Sequence, residues 1–152
     1  MEPVEQLKKL YQVERDVIGA FEEAIEKVEN PQLGDHLRKF EGQRDFCLRQ
    51  IAGLLAQENE EIPSEGFSLE EEIVEGVTAL RASFNDSQAL EALKLVAEIS
   101  LHASGRAMEE LGSFPNLEEK IQDINEVQKT QLDFIKEQLS FGNRASSGDF
   151  VF

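Results

Sequence analysis

The sequence predicts an all-α domain, a four-helix bundle with an additional short crossover helix, on three observations. Apolar residues recur every three or four positions through four long stretches, the stripe that an amphipathic helix turns toward a core. The stretches fall into two pairs, each joined by a short break carrying stop and start signals, so each pair has to fold back on itself. Between the pairs runs a connector of roughly 28 residues with a helix start of its own.

In the first stretch Val4, Leu7, Tyr11, Val17, Ile18, Phe21, Ile25 and Val28 mark a helix over roughly residues 4 to 29, closed by Asn30-Pro31. Leu33, Leu37, Phe40, Cys47, Leu48, Ile51, Leu54 and Leu55 mark a second over roughly 32 to 58, which runs into the turn-like segment Asn59 to Gly66 with Pro63. At ~1.5 Å per residue each is about 40 Å long. Ser68-Leu69-Glu70-Glu71 opens a shorter helix with acids in its first turn, and Ile73, Val77, Leu80 and Phe84 follow on one side. Asn85-Asp86-Ser87 breaks and recaps the chain before a third long helix, with Leu90, Leu93, Ala97, Leu101, Met108 and Leu111 as its stripe. Leu95, Val96 and Ile99 give that helix a second apolar flank, so a central place is expected for it. After the turn Gly112 to Asn116, the positions Leu117, Ile121, Ile124, Val127, Leu132, Ile135 and Leu139 define the fourth. The bundle is thus assigned to residues 1–139. Ser140 to Phe152, rich in Ser and Gly, is expected to be an irregular tail with an apolar end, Phe150-Val151-Phe152.

Composition narrows the function classes. The 152 residues hold 15 Lys and Arg against 31 Asp and Glu, a formal charge of −16, and show no basic patch. Such a chain repels phosphate backbones and anionic lipid, so neither nucleic acid nor a membrane surface is expected as a partner. No stretch approaches the ~20 apolar residues of a membrane span, and Met1-Glu-Pro-Val lacks the opening of a secretion signal, so a cytoplasmic protein is expected. The single cysteine, Cys47, excludes an intramolecular disulfide framework and any multi-thiolate metal site, and its place in the apolar stripe predicts a buried structural thiol. No glycine-rich phosphate loop and no internal repeat is present.

Two hairpins joined by one long crossover is the wiring of a ferritin-like bundle, in which a di-metal site is built from inward Glu residues and Glu-x-x-His pairs. The inward polar positions therefore carry the argument. Glu14 lies on the first stripe, seven residues after Leu7 and seven before Phe21. The second helix has Glu41-Gly-Gln-Arg44, with arginine where a liganding histidine would stand, and the third has Glu98 with His102 one turn on. The fourth has Gln128 and Gln131 between Ile124 and Ile135, again at x-x spacing but as amides.

Through Leu10-Tyr-Gln-Val-Glu-Arg, Phe21-Glu-Glu-Ala-Ile-Glu, Phe40-Glu-Gly-Gln-Arg and the helix from Glu126 to Leu139, residues 4 to 139 resemble the small, often stress-associated bacterial ferritin-like proteins of the YciE/YciF kind. The resemblance implies two iron or manganese ions where the motifs are intact, with Glu14, Glu41, Glu98 and Gln128 as ligand positions and Arg44 and Gln131 in place of the histidines. Guanidinium is permanently charged and has no lone pair to donate, so Arg44 would repel a dication. The expectation is a metal-free polar network in which Arg44 pairs with Glu14, Glu98 or both; the alternatives are a weak or single metal site, and a register that turns these residues to solvent. His102 is the one further candidate ligand, with Glu98 as its neighbour, while His36 is expected at a helix boundary.

Eight glutamates and no Lys or Arg lie between Arg49 and Arg81, read as a solvated connector, with divalent-cation capture or docking on a basic partner as the alternatives. Gly19, Gly42, Gly53 and Gly105 interrupt good helices and suggest close helix approach. The reading is a non-enzymatic ferritin-like bundle that has lost its di-metal centre, a structural or stress-associated interaction module with no cofactor expected and an unidentified protein partner. A di-iron or di-manganese oxidase or peroxidase is the alternative. The long two-sided helices and the apolar tail further predict a homodimer, with the tail docked on a bundle.

Overall fold

A computed structural model describes residues 3–63, 71–111 and 115–144. Among them lie α1 (Pro3–Lys27), α2 (Pro31–Gln57), α3 (Glu71–Arg81), α4 (Asp86–Leu111) and α5 (Pro115–Arg144), with no strand. The breaks fall where the capping chemistry puts them. Asn30 sits in extended backbone and its side chain accepts from the amides of Gln32 and Leu33, while Pro31 fills the first helical position, where its missing N–H costs nothing. The α2 end is a Schellman turn: Asn59, at φ 56, allows Glu60 N–H to reach Leu55 C=O and its own N–H to reach Ala56 C=O, both at 3.0 Å. Asn85 caps α4 by accepting from Gln88 N–H at 2.8 Å, and the Gln88 side chain accepts in return from Phe84 N–H.

Contacts between helices define the wiring. Asp86, at the start of α4, accepts from the amides of Glu29 and Asn30 at 2.8 and 3.0 Å, and Gln6 bonds Glu110 at the other end, so α4 runs antiparallel to α1. His36 stacks on Phe134 with ring centroids 4.7 Å apart, and Arg44 reaches Gln131, so α2 and α5 are antiparallel as well. Helices α2 and α4 therefore point the same way, and the connector between them crosses the length of the bundle. On that connector α3 packs against α1 and α4, tied by Arg81 to Glu23 at 3.0 Å and by Lys27 to the Arg81 carbonyl at 2.7 Å. Four long helices thus surround one core, and α3 covers the α1/α4 side.

Several sequence expectations need correction. The α5 helix continues beyond Leu139 to Arg144, so residues 140–144 are helical rather than tail; 145–152, with Phe150-Val151-Phe152, and 68–70 lie outside the described residues. Phe84 follows the end of α3 and is 92% exposed, and on the second flank of α4 Leu95 is 40% exposed, while Val96 is buried and Ile99 half-buried. A Cβ at Gly19, Gly42, Gly53 or Gly105 would meet nothing within 4 Å, so none of them serves a close approach inside the chain. The close approach is at Gly76, where a Cβ would stand 2.4 Å from Val96 Cγ2. Val96 is buried and β-branched, so it cannot turn aside. Gly76→Ala is therefore expected to destabilise by about 1 to 3 kcal/mol despite alanine's better helix propensity, read as a lower urea midpoint.

Candidate functional site

At mid-height of the bundle the core changes from apolar to polar. Glu14 of α1, Arg44 of α2, Ser100 and Ser104 of α4, and Gln128 and Gln131 of α5 are each fully buried. Burying a charge is tolerable only where partners replace water, and here they do for all but one atom of each charged group. Arg44 Nη1 donates to Glu14 Oε1 and to Ser100 Oγ, both at 2.9 Å, and Arg44 Nε donates to Gln131 Oε1 at 2.6 Å. Gln128 Nε2 donates to the same Glu14 oxygen at 2.5 Å. The remaining ends are tied off outward: Gln131 donates to Gln43 Oε1 at 2.9 Å and to the Phe40 carbonyl at 3.2 Å, and Ser104 bonds Gln128 and accepts from Asn125 at 2.8 Å. Phe21 lies under the guanidinium, 5.6 Å from ring centroid to Cζ, and meets Phe40 edge-on. One negative and one positive charge cancel, so the layer is neutral.

Two atoms of this layer have no protein partner, Glu14 Oε2 and Arg44 Nη2.

Of the positions singled out in the sequence, the structure brings together Glu14, Arg44, Gln128 and Gln131. Glu98 is exposed and does not reach Arg44. Residues two apart on a helix point about 200° apart, and it is Ser100 that faces inward. His102 shares the exposed face of Glu98. Glu41 is only half-buried, beside the inward line of Phe40, Arg44 and Cys47; its carboxyl is raised above the usual range by burial and by repulsion from Glu22 and Asp45. Ser100, Ser104 and Asn125 were not recognised from sequence. The signal for the two serines is the run Ala97, Ser100, Ala103, Ser104 and Ala107, small residues at helical spacing, all buried, which make room for a guanidinium.

The donors present do not fit a pair of divalent metals. A single carboxylate, amide and hydroxyl oxygens and no imidazole surround a fixed cation, which repels a dication and holds one of the two carboxylate oxygens. Among the described residues no three of His, Cys, Asp and Glu come together.

Cys47 is buried in the same layer. Burial, reinforced by the Glu14 carboxylate and only partly opposed by Arg44, pushes its thiol from the ordinary 9.0 up to about 12. The unfolded thiol ionises first, so stability present below pH 9 is lost as pH rises toward 12. The midpoint of the wild type is therefore expected to fall relative to that of Cys47→Ala above pH 9, with no difference in slope below it.

A cleft lies elsewhere. About 620 Å³ opens between α1 and α3, walled by Gly19, Glu22 and Glu26 on one side and Val74, Val77 and Arg81 on the other. It has no contact with the polar layer.

Fold and site together define an all-α helical bundle with a neutral arginine–carboxylate–amide layer at its centre. The chain belongs to the family described as a domain of unknown function, DUF2383, which matches residues 2–110. The match takes in Glu14, Arg44, Ser100 and Ser104, while α5 with its amides lies beyond it. No curated protein and no solved structure matches the chain. Among the described residues no helix is long and apolar enough to cross a membrane.

Proposed function

We propose that the chain is a ferritin-like bundle in which a polar network occupies the place of a di-metal centre, and that it acts without a cofactor as a structural or stress-associated interaction module in the cytoplasm. The observation that carries this reading is the Arg44–Glu14 pair, fully buried and 2.9 Å long, at the level where the inward ligands of such bundles converge. The wiring supports the ferritin-like part: two antiparallel hairpins joined by one crossover, with α2 and α4 pointing the same way. The chemistry supports the non-enzymatic part. Arginine, permanently charged, supplies neither a metal ligand nor a proton for transfer near neutral pH.

Titration of the purified protein with ferrous and manganous ions tests the reading. No saturable stoichiometric site is expected, and ferrous ion should oxidise no faster than in buffer. Saturable binding with catalysed oxidation would instead favour a di-iron or di-manganese oxidase.

A further inference from the structure

We infer that the cleft between α1 and α3 is a binding site for a linear organic polycation of the polyamine class, its methylene segments laid on α3 and its ammonium groups on the carboxylates of α1. The cleft holds about 620 Å³, within the range of small-ligand sites. Its α3 wall is aliphatic, made by Ile73, Val74 and Val77, and Val74 is 50% exposed there, so apolar surface is left in water. Its α1 wall is hollowed at Gly19, where a Cβ would meet nothing within 4 Å. Glycine weakens a helix interior relative to alanine, and no close contact inside the chain requires this one. What Gly19 contributes is the depth of the cleft.

The charges on the walls select the ligand. The Arg81 guanidinium is spent on Glu23 at 3.0 Å, and that of Arg15 lies over the Tyr11 ring and donates to the Pro63 carbonyl. Glu22 and Glu26 form no ion pair among the described residues. They stand one turn apart on the same helix, where like charges repel, and Glu22 also repels Glu41 of α2. A bound cation relieves that repulsion, whereas an anionic ligand would add to it.

Spacing separates a polyamine from a metal ion. Asp16, Glu22 and Glu26 follow one another along α1 at intervals of about 9 and 6 Å by the helical rise, too far apart to close on one ion. Ammonium groups joined by short methylene linkers reach successive carboxylates, and the linkers cover the valines opposite. On a chain of charge −16 the long-range field draws such a ligand in.

Calorimetric titration of the full chain with spermine at physiological ionic strength tests the site. Saturable binding of one spermine per chain is expected, with magnesium at the same charge concentration failing to displace it. Gly19→Leu, which puts a side chain into the cleft on a helix that leucine favours, should abolish binding without lowering the melting temperature. Glu26→Gln should weaken binding about two- to fivefold, the worth of one exposed ion pair, and Glu98→Gln on the exposed face of α4 should leave it unchanged. Absence of saturable binding, full affinity in Gly19→Leu, displacement by magnesium, or equal losses in Glu26→Gln and Glu98→Gln would each overturn the inference. The cleft shares no residue with the polar layer, so this proposal and the metal-free reading fail separately.

Discussion

Replacing Arg44 with alanine is expected to lower the unfolding free energy by about 3 to 5 kcal/mol, among the largest losses available to a single substitution in this chain. The loss is not the worth of the Glu14–Arg44 pair in itself, because a buried ion pair gains little over well-packed apolar residues of the same volume. It arises because Glu14, at 0% exposure, loses its cationic partner and keeps only the Gln128 amide donating to it. A denaturant titration reads the change directly. The double variant Arg44→Met with Glu14→Leu, which removes both charges and restores volume, should recover most of the loss. If Arg44→Ala leaves the midpoint where it was, the layer does not hold the bundle together.

Arg44→His combined with Gln131→His is expected to bind a single ferrous ion per chain where the wild type binds none. The two changes remove the fixed cation and place imidazole nitrogens on facing helices beside Glu14, whose carboxylate is then no longer held by a guanidinium. A dinuclear centre is not expected, because Glu41 and Glu98 point away from the layer and cannot supply the second carboxylate. Equal ferrous binding by the variant and the wild type would show that positions 44 and 131 do not converge on a ligand site.

How far each of these residues could be read from the sequence depends on what surrounds it. Glu14, Arg44, Gln128 and Gln131 were legible because each interrupts an otherwise apolar stripe, and a polar residue at such a position has to be inside. In α4 the stripe has two flanks, Leu90 and Leu93 on one and Leu95 and Ile99 on the other, so hydrophobicity does not choose between them and the sequence places Glu98 inward. What does choose is size. Arg44 needs space, and only the face of Ala97, Ser100 and Ala103 offers it, yet alanine and serine contribute too little hydrophobic contrast to mark a core face from sequence alone. Helix starts were legible from their side-chain caps at Asn30 and Asn85. The end of α5 was not, because Ser140-Phe-Gly-Asn-Arg144 reads as a stop while the helix runs through it.

The central claim is that an arginine-centred network stands where a di-metal centre would, and elemental analysis tests it most directly. The protein should be purified without chelator from cells grown with added iron and manganese, and its metal content measured against chain concentration. The account predicts iron and manganese far below stoichiometric, unchanged after dialysis against chelator. Stoichiometric iron or manganese that survives purification would contradict it.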